Sequence, residues 1–281
     1  MKPRTILITG CSSGIGLCVA QGLAARGYRV FATARKPEDV QRLSESGLES
    51  LRLDLDDSDS IRLALHDVLS RTGGTLDALF NNGAYGQPGA VEDLRREVLR
   101  AQFETNLFGT HELTTEVLKV MRSQGHGRII QNSSVLGLIG LPFRGAYVAS
   151  KFALEGLTDT LRLELAGTGI HMSLIEPGPI LSRFRANSMA RFHDTIDVEA
   201  SPFKERYAAT LRRLQRPGPA APFTLPPEAV LAKVIHALES ARPRRRYYVT
   251  FPTHLFATLK RLLTHVALDS VLLRVSAREH R

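Results

Sequence analysis

The chain has 281 residues, 43% of them apolar and 23% charged, with a net charge of +9. This balance suits a globular protein with a sizeable core and excludes a disordered chain, a collagen-like chain and a coiled-coil rod. The only two cysteines, Cys11 and Cys18, imply no disulfide framework and fit a reducing compartment.

Short β-rich runs alternate with helical stretches along most of the chain. Strands are predicted at residues 4–9, 28–33, 50–53, 76–81, 128–133, 170–176 and 246–250, mostly as continuous apolar runs of the kind buried on both faces. Helices are predicted at 14–26, 58–71, 96–124, 147–167 and 227–241. This rhythm predicts right-handed βαβ units and an α/β fold: a single Rossmann-type doubly wound parallel sheet of about seven strands, with helices on both faces. Residues 179–226 break the rhythm. They are rich in Arg, Ala, Pro and Phe, and the cluster Pro217-Gly218-Pro219-Ala220-Ala221-Pro222 suits neither helix nor central strand. An irregular substrate lid is predicted there, inside one domain spanning 1–251. Residues 252–281 form a basic amphipathic C-terminal extension. Residues 241–281 carry nine Lys/Arg against Asp269 and Glu279, which is +7 of the +9. No secretory apolar segment precedes the first strand, and no run approaches the roughly 20 apolar residues of a spanning helix, so a cytoplasmic location is expected.

Chemistry concentrates at the predicted strand ends. Thr9-Gly10-Cys11-Ser12-Ser13-Gly14-Ile15-Gly16 joins the first strand to a helix. Glycines there let the backbone approach a pyrophosphate, and the helix N-terminus offers it N–H groups and a positive dipole end. After the second strand an acid would hold the ribose 2′-hydroxyl of NAD. Here Ala34 is followed by Arg35 and Lys36, which suit a 2′-phosphate, and Ser12 adds a hydroxyl. NADP(H) is therefore the expected cofactor. Tyr147 and Lys151, four apart, lie on one helix face, where an ammonium lowers a phenol's pKa toward an acid/base range. The histidines show no metal-ligand spacing, and no metal is expected.

The glycine spacing, with Thr9 before it and Tyr147-Val148-Ala149-Ser150-Lys151 downstream, resembles the short-chain dehydrogenase/reductase family. The resemblance covers roughly residues 4–183. It implies catalytic roles for Asn106, Ser134, Tyr147 and Lys151. Ser134 polarises a substrate carbonyl and Tyr147 delivers a proton. Lys151 lowers the Tyr147 pKa and bonds the nicotinamide ribose. Asn106 holds a water that links Lys151 to solvent. The cofactor set implied is Gly10, Ser12, Ser13, Gly14, Ile15, Gly16, Arg35, Lys36, Asp54, Asn82, Gly83, Tyr147, Lys151, Pro177, Gly178 and Ser182. Asn81-Asn82-Gly83-Ala84 departs from the family's usual Asn-Asn-Ala-Gly, and Ser182 stands where Thr is commoner. The segments 137–143 and 150–157 further resemble the branch of estradiol 17-beta-dehydrogenase, retinol dehydrogenases and bacterial NADP-dependent aldehyde reductases. That branch implies a lipophilic aldehyde or ketone, docked against Ser134, Leu136, Phe143, Tyr147 and Met189, with reduction favoured.

Two other readings stand beside this one: a non-catalytic NADP(H)-binding sensor, and a steroid- or retinoid-type alcohol dehydrogenase working oxidatively. Nucleic-acid binding is not expected, since no zinc or helix-turn-helix signature accompanies the basic tail. Leu255, Leu259, Leu262, Leu263 and Val266 repeat at helical spacing in that tail. They fit either peripheral contact with a membrane surface or packing on the protein or a dimer mate. The family's pairing through its two long helices implies a homodimer or homotetramer.

Overall fold

A computed structural model describes residues 3–215, 218, 219 and 221–279; Pro217 and Ala220 of the Pro/Gly cluster and Arg281 of the tail lie outside them. Seven parallel strands form the sheet: β1 (Thr5–Ile8), β2 (Arg29–Ala34), β3 (Glu49–Arg52), β4 (Ala78–Asn81), β5 (Gly127–Asn132), β6 (Ile170–Glu176) and β7 (Arg246–Tyr248), in spatial order β3-β2-β1-β4-β5-β6-β7. This is the doubly wound order, and the switch from β1 to β4 opens a crevice at the strand C-termini. Alternate side chains within a strand serve opposite faces. Ile6 and Ile8 pack with α1 (Gly14–Ala25) and α9 (Glu228–Glu239) through Val19, Leu23, Val230 and Val234. Leu7 faces the other way, toward α3 (Ser58–Thr72), α5 (Thr110–Gln124) and α6 (Gly145–Glu164), through Ile61, Val68, Leu113 and Val117.

The structure departs from the sequence expectation in three places. A short helix, α2 (Pro37–Glu45), follows β2; its polar face masked the periodicity. The helix expected over 96–124 is broken into α4 (Arg96–Phe103) and α5 by a π turn at Glu104–Gly109. A Cβ on Gly109 would stand 1.8 Å from the Leu55 carbonyl oxygen, so the extra residue in the turn accompanies a backbone contact that only glycine allows. Residues 179–226 are less irregular than their composition implies. They hold α7 (Phe184–Thr195) and α8 (Lys204–Gln215), whose buried Phe192 and Tyr207 rings stand 5.0 Å apart. Leu181 and Leu225 clamp the base of the segment, with Leu181 N–H donating to the Leu225 oxygen at 3.0 Å.

The C-terminal extension folds back as α10 (Phe251–Leu262) and α11 (His265–Glu279). Phe256, Leu268 and Leu272 pack on Leu136 and Ile139, with Leu259 and Leu263 beside them. A Cβ on Gly178 would lie 2.1 Å from Thr250 Oγ1, so the tail begins hard against the turn after β6. Among the described residues no helix is long and apolar enough to cross a membrane.

Candidate active site

The glycine turn needs its glycines. Gly10 and Gly14 have φ of 71° and 58°, in the left-handed region, and a Cβ on Gly16 would stand 2.2 Å from the Gly10 oxygen. A Cβ on Gly10 would stand 2.7 Å from Gly83 Cα, so position 10 admits only glycine, while a Cβ on Gly83 would meet Leu55 Cδ1 at 3.0 Å and Thr9 Oγ1 at 3.2 Å. Ser13 ends the turn in an extended conformation and makes no side-chain cap, so the first N–H groups of α1 face the crevice.

A chain of polar contacts runs from this turn to the predicted catalytic pair. Thr9 Oγ1 accepts from the N–H groups of Asn82 and Gly83 at 2.9 and 2.8 Å. Asn82 Nδ2 donates to the oxygens of Thr9 and Gly10, and its Oδ1 accepts from Asn132 Nδ2 at 2.9 Å. The Asn132 carbonyl in turn accepts from Lys151 Nζ at 2.7 Å. Lys151 is 3% exposed. Asn82 thus acts as a brace between β1, β4 and β5, a task its position in the motif did not disclose.

Ser134 follows β5 and opens a 3₁₀ turn, Val135–Gly137; its Oγ accepts from the Leu136 N–H at 3.1 Å. The turn is tied to the loop after β6 by Val135 N–H donating to the Pro177 oxygen at 2.8 Å. Tyr147, in the first turn of α6, lines the same cleft as Ser134. Burial pushes the Tyr147 phenol up to about 12, and the Ser134 hydroxyl offsets part of that rise. The expected lowering by Lys151 is not what governs this phenol: the ammonium stands 5.7 Å from the ring centroid. Burial pulls Lys151 down to about 8, with the Glu155 carboxylate holding it up in part.

These groups line one cleft of about 1320 Å³, above the usual range for a single small ligand. Gly10, Ser12, Ser13, Gly14, Ile15, Asn82, Gly83, Pro177, Gly178 and Ser182 line it together with Ser134, Leu136, Tyr147 and Lys151. Its charged lining among the described residues is Arg144, Lys151, Arg183 and Arg185, with no carboxylate. Gly16 lies behind the turn as a packing glycine.

Several expected residues are placed elsewhere. Asn106 sits in the π turn, 1% exposed. Its Nδ2 donates to the Tyr85 oxygen and to Ser150 Oγ, and its Oδ1 accepts from Tyr85 N–H. Its side chain therefore holds Ser150, between Tyr147 and Lys151, rather than facing the cleft. Phe143 is buried against Phe203 and Tyr207, with the Arg206 guanidinium 4.7 Å over its ring. It is absent from the cleft lining and anchors α8 instead. Met189 is half-buried on α7 but outside the lining; Phe184 and Ser188 of that helix face inward. Arg35 and Lys36 are exposed beyond the lining, and Lys36 pairs with Glu38 at 3.7 Å. Asp54 closes its own turn by accepting from Asp56 N–H at 3.2 Å.

Other residues take part that the motifs did not disclose. Arg42 reaches from α2 and donates to the Ser12 oxygen at 2.9 Å, placing a guanidinium beside the glycine turn. Phe184 meets the Tyr147 ring edge-on at 5.3 Å. Phe223 and Phe251, 60% and 56% exposed, meet at 4.9 Å with their rings tilted by 45°, and line the cleft with Leu255. Their signal in the sequence was weak, since each lies in or after the Pro-rich segment, far from the motifs.

Residues 4–191 match the family model described as short chain dehydrogenase. The chain is 43% identical over 269 residues to the uncharacterized oxidoreductase YbbO of Escherichia coli K12, covering 96% of this chain and 94% of that protein. It is 35% identical to 17-beta-hydroxysteroid dehydrogenase type 1 of Homo sapiens (89% and 78% covered) and 34% to retinol dehydrogenase 8 of Homo sapiens (92% and 85%). Among solved structures, a short-chain dehydrogenase from Streptomyces avermitilis superposes with a TM-score of 0.78 at 30% identity, covering 99% and 97% of the two chains. A short-chain dehydrogenase/reductase from Burkholderia phymatum in complex with NAD gives 0.77 at 26% (92% and 92%). Actinorhodin polyketide ketoreductase with NADPH gives 0.71 at 29% (88% and 95%).

Proposed function

For a chain that belongs to the short chain dehydrogenase family, we propose an NADP(H)-dependent oxidoreductase that interconverts a lipophilic aldehyde or ketone with its alcohol, working chiefly as a reductase. The observation that carries this reading is that Ser134, Tyr147 and Lys151 line the same cleft as the glycine turn.

The cofactor fits the residues present. A cleft lined by cations and no carboxylate suits a ligand bearing several phosphates, and the exposed N–H groups at the start of α1 suit its pyrophosphate. The 2′-phosphate preference rests on the absence of an acid at Ala34 and on the Arg42 guanidinium over Ser12, with Arg35 and Lys36 adjacent. The nicotinamide supplies the hydride; the protein supplies position and protons. Ser134 Oγ donates to the substrate carbonyl oxygen and polarises it. Tyr147, kept protonated by its burial, gives its hydroxyl proton to the oxygen as negative charge develops there. Lys151, seated on the Asn132 carbonyl, brings positive charge to the phenolate left behind. Asn106 holds Ser150 and so the spacing of the Tyr147–Lys151 turn.

The apolar wall of Leu136, Ile139, Leu255 and Phe256 supports a lipophilic substrate and excludes water from the reacting oxygen. The exposed rim of Phe223, Phe251 and Leu255 supports peripheral contact with a lipid surface as the route by which such a substrate arrives. Exposed Leu99, Phe108 and Leu157 on the helices α4 to α6 and the π turn between them support a homodimer through that face.

The test is turnover of a carbonyl panel of rising chain length, with NADPH and NADH in parallel, followed by loss of reduced-cofactor absorbance. kcat/KM rising with chain length and at least about tenfold higher with NADPH is expected from charge-assisted contacts to one added phosphate. Cofactor binding without turnover of any carbonyl would favour the sensor reading instead.

A further inference from the structure

Tyr147, Lys151, Glu155 and Asp159 recur at every fourth position of α6 and so rise along one side of the helix, a turn apart. The first two belong to the proposed reaction. The second two meet Arg246 at the start of β7: its Nη1 donates to Glu155 Oε2 and Glu176 Oε1, and its Nη2 to Asp159 Oδ2. Glu155 is 6% exposed and Glu176, the last residue of β6, is 0% exposed. One guanidinium thus serves three carboxylates, two of them enclosed. Glu176 Oε2 is buried with no hydrogen-bond partner. Glu155 Oε1 lies beneath the Ser134 turn, where a Cβ on Gly137 would approach both it and Ser133 Oγ, at 3.1 and 2.7 Å.

Carboxylates enclosed together cannot all ionise against one cation. Burial, and then the Glu155 charge, push Glu176 up to about 8; burial pushes Glu155 up, opposed by Ser133 and Arg246. Other charged or titratable groups face the cluster: Lys151 below it, Arg162 paired with Asp159 at 3.1 Å, and Tyr248 of β7, which packs on His254 of α10 and feels Arg261.

We propose that Glu155 and Glu176, joined by Arg246, are positioning residues for Lys151: they hold one exchangeable proton, and their negative charge keeps the ammonium protonated on its Asn132 seat during turnover. This rests on the role given to Lys151 above. As pH rises, the enclosed pair gives up the proton it holds beside Arg246. The new negative charge holds the ammonium in place, so the cluster extends the active pH range upward.

The test uses Glu155→Gln and Glu176→Gln in the full chain, comparing pH profiles of kcat. Each variant removes negative charge behind Lys151, so its alkaline limb moves to lower pH. A shift of about one unit is expected for Glu155→Gln and about half a unit for Glu176→Gln, at near-constant KM for cofactor. Profiles lowered in height but unmoved along pH would mean a merely structural role and overturn the proposal. Carbon-13 carboxyl NMR of glutamate-labelled wild-type protein decides the matter if the variants fail to fold or if no carbonyl is turned over. Glu176 titrating in the ordinary acidic range would overturn the proposal; titration near neutrality or above supports it, whatever the substrate proves to be.

Discussion

At the residue scale the site is a set of donors whose ionisation is set by burial. Tyr147 is pushed up to about 12 and Lys151 pulled down to about 8, so each is drawn toward its neutral form. Tyr147→Phe keeps the ring, its edge contact with Phe184 and the shape of the cleft, and removes the proton donor. Turnover should fall by about 10³-fold or more, within the range for a lost general acid, while the cofactor Kd stays within about twofold. Steady-state kinetics and a fluorescence titration of cofactor check both; retained turnover would remove Tyr147 from the proton-transfer step. The pH dependence has a definite sign as well. Glu176 in the folded chain binds its proton more tightly than in the unfolded chain, so between the unfolded value and about 8 the folded state loses stability as pH rises. Glu176→Gln removes that contribution, so its stability should fall less with pH across the window than the wild type's, which a melting series across pH would show alongside the kinetic profiles.

At the element scale the π turn Glu104–Gly109 is the device that matters. It breaks one long helix so that Asn106 can reach both the Tyr85 backbone and Ser150. Gly109 permits the turn by letting its Cα lie against the Leu55 carbonyl. Gly109→Ala forces these two backbones apart and should destabilise the protein by about 2 kcal/mol, as overpacking does elsewhere. Because the displacement moves Asn106, kcat should fall as well, with KM for cofactor little changed. Thermal melting and kinetics on the same preparation check this; an alanine variant with wild-type melting and turnover would show that the turn does not depend on the close approach. The 3₁₀ turn after β5 plays the matching part for Ser134, since the Pro177 carbonyl fixes its first N–H and the tail helices cover its apolar side.

Across the whole molecule, the C-terminal helices and the segment 179–226 complete the cleft that the sheet begins. Their inner faces, Phe256 and Phe192, are buried, while Phe223, Phe251 and Leu255 stand exposed at the mouth, with Arg183 and Arg185 in the lining. An apolar rim beside cations suits the headgroup boundary of an anionic bilayer. The protein should co-sediment with vesicles containing phosphatidylglycerol, less with pure phosphatidylcholine, and Phe223→Ser/Phe251→Ser should weaken pelleting several-fold. Equal pelleting of the double variant and the wild type would assign any membrane contact to another face.

The parallel sheet and the glycine turn after β1 were legible in the linear chain because they rest on local rules. Buried parallel strands are continuous apolar runs, and a phosphate-binding turn needs glycines at fixed spacing. The Tyr147–Lys151 pair was legible for the same reason, since four residues make one helical turn. Which side chains complete the cleft was not legible. Phe143 and Met189 are apolar and near in sequence, yet one anchors α8 and the other lies outside the lining, whereas Phe184, Phe223 and Leu255 enter from distant segments. Arg246 joins Glu155 and Glu176 across 91 and 70 positions of chain. Contacts of that kind depend on which elements the sheet brings side by side, and the protonation of the groups they enclose depends on burial, a property that no spacing of residues records.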